Sequence, residues 1–165
     1  MDKKETFLAA IKDNERALFK IASVYTHTID DRNDLVQEII YQLWKSFDSF
    51  DHKSNVSTWM YRVALNVAIY LLKTSKRKIT TVPLEGQALH YTTVETSESE
   101  EKWELFRQQI NNLNLLDKAI VMLYLDDKSY DEIADIIGIS ASNVGTKLSR
   151  IKEKLKTQIN KNLNT

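Results

Sequence analysis

Residues 129–155 read SYDEIADIIGISASNVGTKLSRIKEKL, and this stretch determines the class of fold. Ser129 and Glu132 form a capping-box pair that opens a short segment whose apolar residues recur at helical spacing. Gly138 then stands where a helix ends in a left-handed residue, and Ser140 can cap a second helix. A short helix, a glycine-containing turn and a capped longer helix, in this order, predict a helix-turn-helix motif.

The second helix of this motif has two contrasting faces. Its expected buried stripe consists of Val144, Leu148, Ile151 and Leu155. The opposite face carries short polar groups first and long cations further on: Ser142, Asn143, Thr146, Lys147, Ser149 and Arg150. A recognition helix presents its first turns to base edges while neighbouring cations hold phosphates, so we expect this face to bind the DNA major groove. A helical hairpin with a solvated basic face is the alternative.

The composition extends the helical prediction to the whole chain. The 165 residues include three Gly, one Pro and no Cys. So few turn residues disfavour hairpins and sandwiches, and the lack of Cys excludes disulfides and thiolate zinc sites and favours a reducing cytoplasm. A charged N-terminus without an apolar stretch predicts no signal peptide, and the absence of a long apolar run predicts no membrane insertion.

Apolar periodicity predicts a three-helix bundle in residues 1–78. The expected helices cover about residues 5–25, a segment from a cap at Asp30 or Asp31 to about Phe47, and about residues 58–76. The first should bury Phe7, Leu8, Ile11, Leu18, Phe19, Ala22 and Tyr25. The third should bury Trp59, Val63, Val67 and Leu71.

Residues 79–96 break the helical period and contain the single Pro. Eighteen such residues would be an unusual loop inside one domain, so we interpret them as a flexible linker spanning roughly 20–25 Å. Ser97 and Glu100 form another capping pair, followed by expected helices at about 98–112, 116–126, 130–137 and 141–160. The predicted fold is all-α, with two small helical domains, a three-helix bundle (1–78) and a helix-turn-helix domain (97–165), joined by the linker.

The charges balance overall but not locally. The chain has 23 basic and 23 acidic residues, yet residues 143–165 hold six basic and one acidic residue, and four cations lie within residues 73–78. These two patches could meet phosphates, or they could be cations that simply favour helix C-termini.

Two further patterns in the first domain leave alternatives open. Asp34, Gln37, Glu38 and Gln42 lie near the polar face of the second helix, which could dock a basic partner or remain solvated. Trp59 and Tyr61 adjoin a polar loop and could stack on unpaired bases. A position in the core is the alternative for Trp59.

Both halves resemble one known family. DLVQEIIYQLW (34–44), followed by a polar loop and TWMYRVALNVAIYLL (58–72), is similar to region two of bacterial RNA polymerase sigma factors of the extracytoplasmic-function (ECF) group. LNLLDKAIVMLYLDDKSYDEIADIIGISASNVGTKLSRIKEKLK (113–156) is similar to region four of that group. The resemblance implies binding to core RNA polymerase and promoter DNA, with no catalytic residue, cofactor or metal. A tethered pair of domains would also allow an inhibitory anti-sigma partner to clamp them together.

The resemblance also assigns roles to particular residues. Core polymerase would dock on Asp34, Gln37, Glu38 and Trp44. Promoter melting and capture of a minus-ten base would fall to the loop at 50–57 and to Trp59, Tyr61, Arg62 and Asn66, with Lys73, Lys76, Arg77 and Lys78 along the DNA backbone. The minus-thirty-five element would be read by Ser142, Asn143, Thr146, Lys147, Ser149 and Arg150.

The chain departs from the family pattern at three positions. Tyr70 stands where the family usually has Asp, and Leu72 stands where Arg is frequent. Gly145 replaces a common Lys or Arg in the recognition helix. The first two changes affect the end of the third helix, while Gly145 predicts a close approach of backbone to DNA or a subgroup variation.

Three other classes of protein compete with this interpretation. A response-type regulator would need a receiver or dimerisation domain, and the first 78 residues lack its alternating strands. An enzyme is disfavoured because His27, His52 and His90 have no metal-ligand spacing and no glycine-rich nucleotide loop is present. A purely structural adaptor would show no dependence on promoter DNA.

Overall fold

The computed structural model describes residues 2–78 and 107–163 and is helical throughout both ranges apart from short connections. Within them lie α1 (Lys3–Tyr25), α2 (Ile29–Ser46), α3 (Val56–Lys78), α4 (Leu115–Leu125), α5 (Tyr130–Ile137) and α6 (Ala141–Leu163). A 3₁₀ turn, Phe47–Ser49, follows α2, and residues 107–110 are also helical. Neither range contains a strand, which confirms the all-α prediction.

The chain divides into two compact units, Met1–Leu89 and His90–Thr165. The expected linker at 79–96 and the capping pair Ser97 and Glu100 lie outside the described residues, so both stay predictions. In the part of the chain that is described, no helix has both the length and the apolarity needed to cross a bilayer.

The N-terminal unit is a bundle in which α1, α2 and α3 pack pairwise against one another. Its centre is formed by side chains with at most 1% exposure, including Ile21 of α1, Ile39 and Leu43 of α2, and Met60 of α3. Each of these side chains stabilises the fold by about 1.5–3 kcal/mol through removal of apolar surface from water. The three-helix prediction is therefore confirmed.

The start of α2 differs from the sequence prediction. Thr28, in extended conformation, caps the helix, and its hydroxyl accepts a hydrogen bond from the Asp31 N–H at 3.0 Å. The expected caps, Asp30 and Asp31, lie instead in the first turn. There their carboxylates are favoured by the positive end of the helix dipole.

The buried face of α3 also differs from the predicted stripe. Met60, Ala64, Leu65 and Ala68 are buried, together with Tyr61, whereas Trp59, Val63 and Val67 are half-buried and Leu71 is 37% exposed. The helix is apolar on nearly every side, so periodicity alone does not determine its orientation. Ala64 and Ala68 are fully buried, so the buried face is displaced by one residue from the predicted stripe.

The predicted stripe of α1 is wrong at two positions. Leu8 is 54% exposed and Phe19 is 38% exposed, while Ile21 and Val24 are buried instead. Both exposed residues lie beside the core stripe rather than on it.

In the C-terminal unit, α4 forms the centre of a small core against α5 and α6. Ala119, Ile120 and Leu123 of α4 are fully buried. The predicted stripe of α6 is buried as expected: Val144, Leu148, Ile151 and Leu155. This stripe fixes which face of α6 remains available to a partner.

The turn between α5 and α6 has the geometry that its residues predict. Ser129 and Glu132 form a reciprocal capping box, with the Ser129 hydroxyl accepting from the Glu132 N–H at 3.1 Å. Gly138 adopts φ +87°, and its N–H donates to the Ala134 carbonyl at 2.8 Å. The Ser140 hydroxyl then accepts from the Asn143 N–H at 3.1 Å and caps α6. The helix-turn-helix motif is confirmed.

Replacing Gly138 by Ala is expected to destabilise the C-terminal unit by about 1–2 kcal/mol, because a Cβ is strained at positive φ. Nothing lies within 4 Å of the added Cβ, so the cost is conformational rather than steric. Amide hydrogen exchange of the full chain should show faster opening of α5 and α6 with α1–α3 unchanged. Equal protection in the variant and the wild type would contradict this account.

Candidate nucleic-acid interface

The first half of α6 presents the predicted recognition residues on one accessible surface. Ser142, Asn143, Thr146, Ser149 and Arg150 are exposed, and Lys147 is half-buried at the flank. The Thr146 hydroxyl donates to the Ser142 carbonyl at 3.1 Å, which holds it along the helix. Short polar groups thus precede the long cation of Arg150, as the sequence predicts.

An open groove of about 610 Å³ lies on this surface. Its lining combines six residues of α6 with the ring of Tyr130, the first residue of α5: Ala141, Ser142, Gly145, Thr146, Ser149 and Arg150. Sequence reasoning missed Tyr130. The sequence feature that could have indicated it is an aromatic residue at the start of the first helix of the motif, together with a glycine in the second helix.

Gly145 lies next to the ring of Tyr130, and both residues line the groove. A Cβ added to Gly145 would lie 3.4 Å from Cε2 and 3.8 Å from Cδ2 of the Tyr130 ring. Glycine within a helix costs about 1 kcal/mol relative to alanine. An alanine methyl group at position 145 would lie in ordinary van der Waals contact with the ring, so Tyr130 borders the space beside this glycine.

The second half of α6 holds a cation against α4. The Lys152 ammonium donates to the Tyr124 hydroxyl at 3.1 Å and lies 4.4 Å from the centre of that ring. The hydrogen bond to Tyr124 raises the pKa of Lys152, so this side chain carries its charge at neutral pH. It supplies a positioned positive charge two residues beyond Arg150.

In the N-terminal unit, α2 presents an acidic and amide-rich face. Asp34 and Gln37 are exposed and Glu38 is half-buried. The Gln42 amide donates to Glu38 Oε1 at 3.0 Å, which orients the carboxylate. Tyr41, which the sequence reasoning did not assign, is 55% exposed one turn further along the helix.

Trp44 lies at the edge of this face and is 38% exposed. One side of its ring meets Phe7 edge-on at 5.1 Å, and the Lys3 ammonium lies 4.3 Å from its centre. Lys3 also pairs with the Asp48 carboxylate at 2.9 Å. Part of the Trp44 ring therefore packs against the bundle, and only the exposed part is accessible to a partner.

The loop that precedes α3 is supported by stacked rings. Phe50 is buried, and its ring centre lies 5.0 Å from that of Trp59 and 4.5 Å from that of His52. His52 has φ +60°, in the left-handed region that few residues other than glycine adopt. The Asn55 side chain then accepts from the Thr58 N–H at 2.8 Å at the start of α3.

The predicted melting residues occupy different environments on α3. Trp59 and Arg62 are half-buried, while Asn66 and Lys73 are exposed. Tyr61 is only 6% exposed, so its ring presents no face on which a base could stack in this structure. Lys76, Arg77 and Lys78 lie in the last turn of α3, but their side chains are outside the described part.

In the described ranges, 2–78 and 107–163, no three His, Asp or Glu side chains come together where they could hold a metal ion. The accessible features are polar helix faces and rings, which suit macromolecular contacts.

Comparison with known families assigns both units. Residues 10–78 match the family described as Sigma-70 region 2, and residues 103–155 match the family described as Sigma-70, region 4. The chain belongs to the ECF group of RNA polymerase sigma factors. It is thus an initiation factor of transcription that directs RNA polymerase to promoters.

Relatives of this sigma factor span nearly its whole length. The RNA polymerase sigma factor SigV of Bacillus subtilis is 26% identical over 173 residues, which cover 98% of each chain. The ECF RNA polymerase sigma-E factor of Haemophilus influenzae is 28% identical over 154 residues, which cover 85% of this chain and 82% of that one.

Solved structures show the same fold. The sigma factor RpoE of Bartonella quintana, solved with the anti-sigma factor NepR, has a TM-score of 0.72 at 22% identity, with 95% of this chain and 96% of that chain covered. CnrH, solved with the cytosolic domain of CnrY, has a TM-score of 0.69 at 18% identity, with 96% and 90% covered.

Proposed function

We propose that the sigma factor divides its work among three surfaces: α2 docks core polymerase, α3 with its preceding loop opens the minus-ten region, and α6 reads the minus-thirty-five element. The observation that carries the proposal is the accessible recognition face of α6, with its order of polar groups and cations on a capped helix-turn-helix. Asn can pair with adenine, and Arg or Lys with guanine, in the major groove.

Docking through α2 is supported by the composition of its exposed face. Asp34 and Glu38 supply two carboxylates one turn apart, and the Gln42 amide fixes the second. A carboxylate pair of this kind complements a basic surface, and Trp44 adds an aromatic anchor of the type that dominates binding interfaces.

Promoter opening through α3 is supported by a half-buried Trp59 next to a polar loop, with exposed Asn66 and Lys73 further along the helix. Aromatic faces stack on unpaired bases, and cations follow the backbone of the strand. The burial of Tyr61 makes it a support for the helix rather than a stacking surface.

The division among surfaces also follows from charge. A net charge of zero provides little affinity from counterion release, so the isolated chain should bind promoters weakly. Core polymerase would hold the two units in register and raise the effective concentration of each on the DNA.

Run-off transcription with core polymerase, with and without the full chain, tests the whole proposal. We expect transcripts from a defined start only when both proteins are present. A binding measurement on the same promoter completes the test. If the chain alone bound the promoter as tightly as its complex with core polymerase does, the proposed division of labour would be contradicted.

Replacing Lys147 or Arg150 by Ala is expected to weaken use of the upstream promoter element by about 5- to 150-fold, the range for loss of one good base contact. Footprinting with the reconstituted complex measures protection at that element. Lys156→Ala, an exposed cation further along α6, is the matched control. Unchanged upstream protection in both test variants would refute the assignment of the recognition helix.

An anti-sigma partner is a further part of the proposal. Of the two solved structures of the same fold, the sigma factor RpoE is bound to the anti-sigma factor NepR, and CnrH is bound to the cytosolic domain of CnrY. Such a partner would cover the α2 and α6 surfaces, and it should compete with core polymerase in a pull-down of the full chain.

We also propose that the chain acts in the cytoplasm, where polymerase and promoter DNA meet, and that it has no catalytic activity of its own. This proposal rests on its membership of a family of initiation factors.

A further inference from the structure

The groove beside Tyr130 lies within the surface that the recognition residues present, and it adds a residue of α5 to that surface. Three members of its lining bring apolar surface, namely Ala141, Gly145 and the ring carbons of Tyr130 that lie beside Gly145. The other members of its lining are polar, namely Ser142, Thr146, Ser149 and Arg150. A pocket of this kind accepts a small apolar group that projects from a polar surface.

The major-groove edge of DNA carries one such group. Thymine presents a 5-methyl group between hydrogen-bonding atoms, and proteins recognise it by apolar contact. We propose that the groove receives the 5-methyl group of a thymine in the upstream promoter element, and that Tyr130 is a specificity-determining residue contributed from α5. The inference rests on the proposed role of α6.

The glycine explains why the groove is open. A Cβ at position 145 would lie 3.4 Å from the Tyr130 ring, in ordinary van der Waals contact, and a longer side chain there would occupy part of the groove that Gly145 lines. Glycine is unfavourable within a helix, so its presence at the centre of a recognition surface needs a compensating role. Leaving room for a substituent of the DNA supplies that role.

Tyr130 is placed to act from outside the recognition helix. Its side chain is 42% exposed, so one side of the ring packs toward α6 while the rest remains accessible. It is the first residue of α5, directly after the capping box at Ser129, and this cap fixes the position from which the ring extends.

The test uses the complex of the full chain with core RNA polymerase. Promoters are first selected from a library randomised across the upstream element, and each thymine of a selected element is then replaced by deoxyuridine, which lacks only the methyl group. We expect about a fourfold loss of binding at one thymine, which corresponds to one buried methyl group.

Variants of Tyr130 and Gly145 then test whether the methyl group of that thymine binds in the groove. Tyr130→Ala should bind the thymine and deoxyuridine promoters equally, whereas Tyr130→Phe should retain the fourfold difference because it keeps the ring. Gly145→Leu fills the groove from the other wall and should also abolish the difference, which keeps the test decisive if Tyr130→Ala folds poorly.

The failures are distinguishable. A selected upstream element with no methyl-sensitive thymine, or a methyl effect that persists in both Tyr130→Ala and Gly145→Leu, overturns the inference and leaves the role of α6 intact. Selection that enriches no upstream element overturns the proposed role of α6 and the inference with it.

Discussion

Replacing Asp34 and Glu38 together by Ala is expected to lower the affinity of the sigma factor for core polymerase by about 30- to 1,000-fold. The two side chains lie one turn apart on the accessible face of α2, and docking would desolvate them against basic groups. A cost of about 1–2 kcal/mol for each carboxylate lies between the values for exposed and buried ion pairs. Analytical co-elution and a binding titration at several salt concentrations measure the loss.

The matched control removes the same charge from another helix. Asp13 and Glu15 are exposed on α1, so Asp13→Ala with Glu15→Ala changes the net charge equally without touching α2. The control should bind polymerase like the wild type. If the α2 double variant co-eluted normally with core polymerase, or if the control lost as much affinity, the assignment of α2 as the docking face would be contradicted.

The helix-turn-helix could be read from the sequence because local chemistry determines it. The capping box at Ser129 and the left-handed Gly138 each satisfy backbone groups within a few residues, so their roles do not depend on distant packing. The apolar stripe of α6 is clear for a related reason, since its other face is strongly polar.

The orientation of α3 could not be read in this way. Its apolar residues extend to both sides of the core face, and the buried face, which includes Ala64 and Ala68, lies one residue away from the predicted stripe. Such a choice depends on the partners of a helix rather than on its own period. The same reason explains why Tyr61 is buried and Leu71 is exposed.

The groove at Tyr130 is the part of the candidate site that could not be predicted from the sequence. The recognition residues of α6 lie on one helix and can be predicted from their spacing, but Tyr130 reaches Gly145 from a different helix. Only the tertiary arrangement of α5 and α6 shows that the glycine and the ring form one surface. The family resemblance gave no indication of it, because Gly145 is a departure from the family pattern.

Replacing Trp59 by Ala is expected to slow promoter opening by about 5- to 150-fold, because stacking of one base on an aromatic side chain contributes about 1–3 kcal/mol. Trp59 is half-buried, with Phe50 at 5.0 Å and Phe47 at 6.1 Å between ring centres. Its remaining surface adjoins the loop at 50–55. Permanganate reactivity of the minus-ten thymines in the complex with core polymerase measures the opened strand.

The alanine substitution also loosens the ring cluster, so two comparisons separate stacking from folding. Phe47→Leu loosens the same cluster but leaves Trp59 in place, and it should open the promoter nearly as fast as the wild type. On a template whose minus-ten region is already unpaired, the defect of Trp59→Ala should shrink, since the energy of strand separation is no longer required. If the defect of Trp59→Ala were equal on both templates and Phe47→Leu showed the same defect, Trp59 would be a packing residue. Strand opening would then depend on other groups on α3, and the exposed Asn66 would be the next residue to test.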